Sequence, residues 1–256
     1  MSRSNITLLT VALCGAAVLV GQSLLGWSVL AATGSTAIPD LHGIDALRFS
    51  GRGDVRIVTD TAPGLTITNA GRSDIKVTRE GTTLVIAVRG WFGGTPTFVL
   101  QTTPLRSLDL SGSVELETDQ LVGKDVRIAA SGSTEATIDK VVAPAVAIRT
   151  SGSTELTIEA LTADRLDVVS SGSGEINVKG RALAQNAQFS GSVDYDALGL
   201  VSERVTLVLS GSTEAKVRAE RQLHVQGSGG GELEYAGNPV VEQQTSGSFE
   251  LRRTSG

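Results

Sequence analysis

Ser131-Gly132-Ser133-Thr134-Glu135-Ala136-Thr137-Ile138 returns one period later as Ser151-Gly152-Ser153-Thr154-Glu155-Leu156-Thr157-Ile158, changed at one position only. The unit extends in both directions, with glycines at Gly112, Gly132, Gly152, Gly172, Gly191, Gly211, Gly229 and Gly247. The serines that precede them are Ser111, Ser131, Ser151, Ser171, Ser190, Ser210, Ser228 and Ser246, an even spacing that tightens slightly toward the end. So regular a period, about 20 residues, marks an array in which no unit buries its own apolar face and each must stack on the next.

Within the unit the apolar residues alternate. Three places before each motif serine stand Leu108, Ile128, Ile148, Val168, Ala187, Leu207 and Val225, and only Gln243 breaks the column. Five places after it stand Leu116, Ala136, Leu156, Ile176, Tyr195, Ala215, Leu233 and Leu251. Period two on both sides of a glycine predicts strand, corner, strand. Helical repeats run longer, and half-units this short, cut by Gly, do not hold a helix. The expected fold is therefore all-β, a parallel, right-handed β-helix-like solenoid with rungs of about 20 residues, ~4.8 Å apart, giving a body roughly 35–40 Å long. Each motif glycine supplies a corner, and its serines are expected to bond their own turn or the equivalent serine one rung away.

Upstream, Leu47-Arg48-Phe49-Ser50-Gly51-Arg52-Gly53-Asp54-Val55-Arg56-Ile57 fits the same columns, so Gly51 reads as a further corner. Strands follow at Leu65–Thr68, Ile75–Thr78, Leu84–Val88 and Thr97–Gln101, the middle two joined by Glu80-Gly81-Thr82 as a hairpin. Trp91, in a Gly- and Pro-rich loop, reads as a lid over one end or as a sugar-stacking platform. The expected organisation is an export or anchor segment over 1–32, a linker over 33–43 and a β domain over 44–252. That domain divides into an irregular part, 44–104, and regular rungs, 105–252. The looser units after Gly229 read as a terminal cap.

No charge interrupts Ile6 to Ala32, and Arg3 is the only charge before them. This is the pattern of a secretory signal cleaved near Ala31 or Ala32, or, uncleaved, of an N-terminal membrane anchor. Either places the folded body in the periplasm or at the cell surface. Cys14, the one cysteine, lies inside this segment, preceded by bulky Leu13 where a lipoprotein signal takes a small residue. The net charge of −5 speaks against nucleic acid as a partner.

The Phe49–Val55 passage, the Gly81-Thr82-Thr83-Leu84-Val85-Ile86 strand, the run from Pro104-Leu105 to Leu110-Ser111-Gly112-Ser113 and the serial Ser-Gly-Ser units together resemble the bacterial head GIN domain family. That family carries an auto-transporter adhesin label. The resemblance spans about Ile44 to Leu251. It implies an exported, envelope-associated β-solenoid that brings no catalytic residues.

Four places after each motif serine stands an acid: Glu115, Glu135, Glu155, Glu175, Asp194, Glu214, Glu232 and Glu250, with Asp54 in the first unit. In register these form one line. Carboxylates ~4.8 Å apart in water repel by only about 1 kcal/mol, so a solvated line is tolerable and keeps that face wet. The competing reading is a row of Ca²⁺ sites on Glu115, Glu135, Glu155, Glu175, Asp194 and Glu214, although Ca²⁺ takes six or more oxygens. A uniform line gives every acid one environment, whereas a catalytic pair needs two.

No nucleophile elbow, phosphate-binding loop, dinucleotide fingerprint or zincin motif occurs, and His42 and His224 have no nearby His or Cys. No cofactor is expected. Arg52-Gly53-Asp54 spells an integrin-type tripeptide inside a predicted corner. The functions that remain are a non-enzymatic envelope module with a polysaccharide or protein ligand, a carbohydrate-active β-helix enzyme, and an envelope spacer without a ligand.

Overall fold

The computed structural model describes residues 38–90 and 93–254, with the backbone of 22–23 and 26–27. The export or anchor helix expected over 1–32 lies outside the described residues but for those four, as do Trp91 and Phe92. Every described element is a strand: β1 Gln22–Ser23, β2 Gly26–Trp27, β3 Ala46–Thr59, β4 Gly64–Thr68, β5 Asp74–Glu80 and β6 Thr83–Arg89. These continue as β7 Thr97–Thr102, β8 Ser107–Val122, β9 Asp125–Val142, β10 Ala145–Ala236 and β11 Val240–Arg253. The chain is all-β.

Pairing between successive units is parallel and in register. Ser111 lies against Ser131 and Ile128 against Ile148, while Ala136 lies against both Leu116 and Leu156. At the far end Gly229 meets Gly247 and Leu233 meets Leu251. Registry follows from the period of two: a slip by one residue would turn every apolar side chain to water. The file Leu108, Ile128, Ile148, Val168, Ala187, Leu207 and Val225 is no more than 3% exposed at any position. Each of its larger members contributes up to about 1.5–3 kcal/mol of burial.

The corners explain the glycines. Those at positions 51, 112, 132, 152, 172, 191, 211, 229 and 247 have φ between 86° and 121°. A Cβ on Gly152 would come 2.5 Å from the carbonyl oxygen of Gly132, and one on Gly112 would come 2.1 Å from that of Gly51. Positive φ and backbone stacked on backbone both exclude a side chain there.

Serine bonding differs from the expected ladder. The hydroxyls of Ser111, Ser131 and Ser210 donate to the carbonyls of Phe49, Leu110 and Phe189, at 3.3, 3.4 and 3.1 Å. Each acceptor is the carbonyl of the residue just before the motif serine of the preceding rung. A hydroxyl-to-hydroxyl bond does cross between rungs one place earlier, from Thr150 to Ser170 at 2.8 Å inside the core.

The units after Gly229 are a correction as well. They form no cap: β11 continues the stack in register along its whole length, with Gly229 an ordinary corner lying on Gly211. Capping occurs at the other end. β6 and β7 pair parallel to the two halves of β3, and β5 and β4 close over them antiparallel. Phe49 and Phe98 meet there edge to face, 5.2 Å apart, with no room for a Cβ on Gly53 between them.

Where the period shortens by one place, between Ser171 and Ser190, the core repacks. Ala187 makes room for Phe189 and Tyr195, whose rings tilt together 4.9 Å apart. Gln185 donates to the Tyr195 hydroxyl at 2.7 Å and accepts from Ser202 at 3.2 Å, all three buried. Burial pushes the Tyr195 phenol well up from its ordinary value, so it stays neutral.

Candidate functional site

A strand that turns a corner every rung carries its outward residues in straight files. Asp54 lies against Glu115 and Glu115 against Glu135. Glu135 in turn lies against Glu155, each a rung apart. Beside this line runs a file of hydroxyls, Ser113, Ser133 and Ser153. A groove of about 760 Å³ follows both files over five rungs, from Arg52, Asp54 and Thr95 to Ser173 and Glu175. It is a shallow, wide-open strip that collects the repeated polar residues; its four glutamates are exposed because each rung supplies one at the same outward place, and Asp54, in the first rung, is half-buried.

Cations enter the acidic file unevenly. Lys216 holds Glu214 at 3.0 Å, and Arg252 reaches Glu232 and Glu250 at 3.0 Å each. Glu115, Glu135 and Glu155 make no ion pair with the described residues. The acid file is therefore unpaired along Glu115, Glu135 and Glu155, inside the groove, and is trimmed by positive charge only beyond the groove, toward the β11 end. Asp194 has its carboxyl raised, first by partial burial and then by Glu214, with Glu175 and Asp196 adding to it against Lys216.

The remaining expected sites fall as follows. Asp194 and Glu214 continue the acid file beyond the groove, and among the described residues no group of three His, Cys, Asp or Glu is arranged to hold a metal. His42 pairs with Asp40 at 2.7 Å, while His224 lies 3.5 Å from Glu242. Arg52-Gly53-Asp54 runs through β3 as paired strand, with Gly53 turned inward against Phe49 and Phe98. A protruding loop of the kind integrins grip is absent at that position. Sequence reasoning found the acids but missed the groove. One of its lining residues, Thr95, comes from the loop before β7, and β7 takes its place only by pairing with β3, far upstream in the chain.

Stacked parallel rungs, one acidic and hydroxylated file per corner and a capped first end define an all-β repeat protein with a surface groove. A profile of the family described as "Putative auto-transporter adhesin, head GIN domain" matches residues 44–239. The chain belongs to that family. Among solved structures it is similar to a "putative adhesin" from Parabacteroides distasonis, at TM-score 0.75 and 20% identity, over 82% of this chain and 92% of the other. A second "putative adhesin", from Parabacteroides merdae, gives TM-score 0.72 and 18% identity over 85% and 94%. A "putative lipid binding protein" from Parabacteroides distasonis gives 0.63 and 19% over 84% and 94%. At these identities the likeness concerns the fold. No curated protein matches the chain.

Proposed function

We propose that this protein is an exported, non-enzymatic module of the cell envelope whose rungs wind as a right-handed β-solenoid and whose groove grips a repetitive surface polymer. The observation that carries the reading is the repetition of one carboxylate per rung from Asp54 to Glu175 along a single groove, accompanied by a serine hydroxyl in every rung but the first, where Arg52 takes that place. A ligand with repeating hydroxyl or cationic groups, a polysaccharide or an extended protein segment, meets the same chemistry at each step. Right-handed winding is the rule for parallel crossover connections. The adhesin names of the family and of two similar structures support an outward-facing role. The apolar segment 6–32 supplies export or anchoring.

The uniformity of the file argues against the polysaccharide-cleaving alternative. An acid and a base must differ in environment to divide the work, and here neighbouring rungs present the same group on the same exposed face. The test is binding of the purified chain to a panel of envelope polysaccharides and cationic peptides. The triple variant Glu115→Gln, Glu135→Gln, Glu155→Gln serves as the control. Binding lost in the triple variant with melting unchanged supports the groove, whereas binding unaffected by it, or turnover of any polysaccharide, rejects the reading.

A further inference from the structure

We propose that the outer edge of β11 is a self-association surface, on which a second copy of this chain docks by two-fold antiparallel pairing centred on Gly247. Among the described residues β11 pairs on one side only, with β10. Its fourteen residues thus present a row of free backbone donors and acceptors. The opposite end of the stack is handled differently. There the outer edge of β3 is already taken by β6 and β7, and the strands outside them, β4 and β5, are only 5 and 7 residues long. β5 also carries Asp74, Lys76 and Arg79, the short and charged design that discourages edge pairing. Head-to-tail stacking is therefore barred, and end-to-end pairing of two β11 edges is the arrangement left open.

The β11 end is also the apolar one. Val240 is 69% exposed, and Val241, Phe249 and Leu251 pack only partly against the core. A two-fold axis through the corner sets each residue before Gly247 against the one equally far after it. Val241, Gln243 and Thr245 then face Arg253, Leu251 and Phe249, and all six belong to the inward files fixed by pairing with Leu223, Val225 and Leu233. The in-and-out alternation of both copies agrees at every place, which half of the alternative registers would violate. On the outer face Glu242 meets Arg252 of the second copy, twice by symmetry. Arg252 is already held in place there by Glu232 and Glu250. Fourteen residues a side is below the ~20–30 of a standard interface, so the association depends on concentration.

Sedimentation of the full chain, with mild detergent for its N-terminal apolar stretch, should show monomer passing to dimer as concentration rises. Gln243→Lys places a charge where the monomer is exposed and the dimer is closed. It should leave the melting temperature unchanged and abolish the dimer. In a Cys14→Ser background, Ser246→Cys with Ser248→Cys should give a disulfide-linked dimer, since opposed antiparallel residues lie within disulfide reach. The same pair at Ser131 and Ser133, in mid-stack, should not. A chain that stays monomeric throughout, a dimer that tolerates Gln243→Lys, or equal crosslinking at both places overturns the proposal.

Discussion

The α-carbon of Gly152 is stacked so closely on Gly132 that a methyl group on it would stand 2.5 Å from the Gly132 carbonyl oxygen. The corner file is built from backbone alone. Gly152→Ala must both strain a φ of 91° and push one rung off the next, and is expected to cost about 3 kcal/mol or more. Gly81→Ala has a φ of 63° but open space, and should cost only about 1 kcal/mol. Urea melts of the two variants check the difference, and equal losses would show that stacking is not what excludes the side chain.

Inside the stack three threonine hydroxyls, those of Thr118, Thr154 and Thr213, are buried without a hydrogen-bond partner among the described residues. A buried unmade bond costs about 1–3 kcal/mol, and valine has the same shape without the hydroxyl. Thr154→Val and Thr213→Val should each stabilise the protein by roughly 1 kcal/mol, read as a higher urea midpoint at unchanged slope.

Because the β9–β10 register sets Ser131 against Ser151 and Ile128 against Ile148, removing residues 131–150 joins Ala130 to Ser151 in the same phase. The shortened chain should fold, with a somewhat lower melting temperature, since stability in a stack is close to a sum over neighbours. Removing 131–140 puts the files out of phase and should leave the chain unfolded by circular dichroism.

Asp194 keeps its proton more tightly in the folded chain than in the unfolded one, through partial burial and the nearby Glu214. Stability from this group is therefore complete at acid pH and is lost as pH rises through its raised folded-state pKa. Asp194→Asn should gain a few tenths of a kcal/mol at neutral pH, a small figure because the site is exposed. The gain should vanish below the ordinary Asp value of 3.8. Comparing variant and parent at each pH cancels the acid response of every other carboxyl, and a gain that persists at low pH would contradict this account.

Millimolar Ca²⁺ should leave the melting temperature unchanged, because adjacent rungs offer two carboxylates where the ion takes six or more oxygens. A rise of several degrees, reversed by chelator, would reassign the acid file to cation sites.

Much of this was legible from residues alone. The columns through Ile128 and Ile148, the glycine corners, the outward acids and the hairpin at Gly81 all follow from local periodicity, which needs no knowledge of distant partners. What was misread involved chain segments meeting across long separations. Gly229 to Gly231 weakens the local pattern, yet the rung continues because pairing with Gly247 to Phe249 supplies what composition withholds. The serine bonds were misassigned because their acceptor is a carbonyl of the rung below.

The sequence by itself determined the rung: where it bends, which side chains turn inward, and that an acid recurs on the outside. Tertiary structure decided the order of the stack. β3 lies between β8 on one side and β6 with β7 on the other, so a later segment becomes the earlier layer. That choice turns one end into a closed cap, leaves the other edge without a partner strand among the described residues, and brings Thr95 to the lining of the groove. Period and composition are indifferent to it, because any apolar rung satisfies its neighbour's inward file equally well; only the connections and the space left at each end select the arrangement.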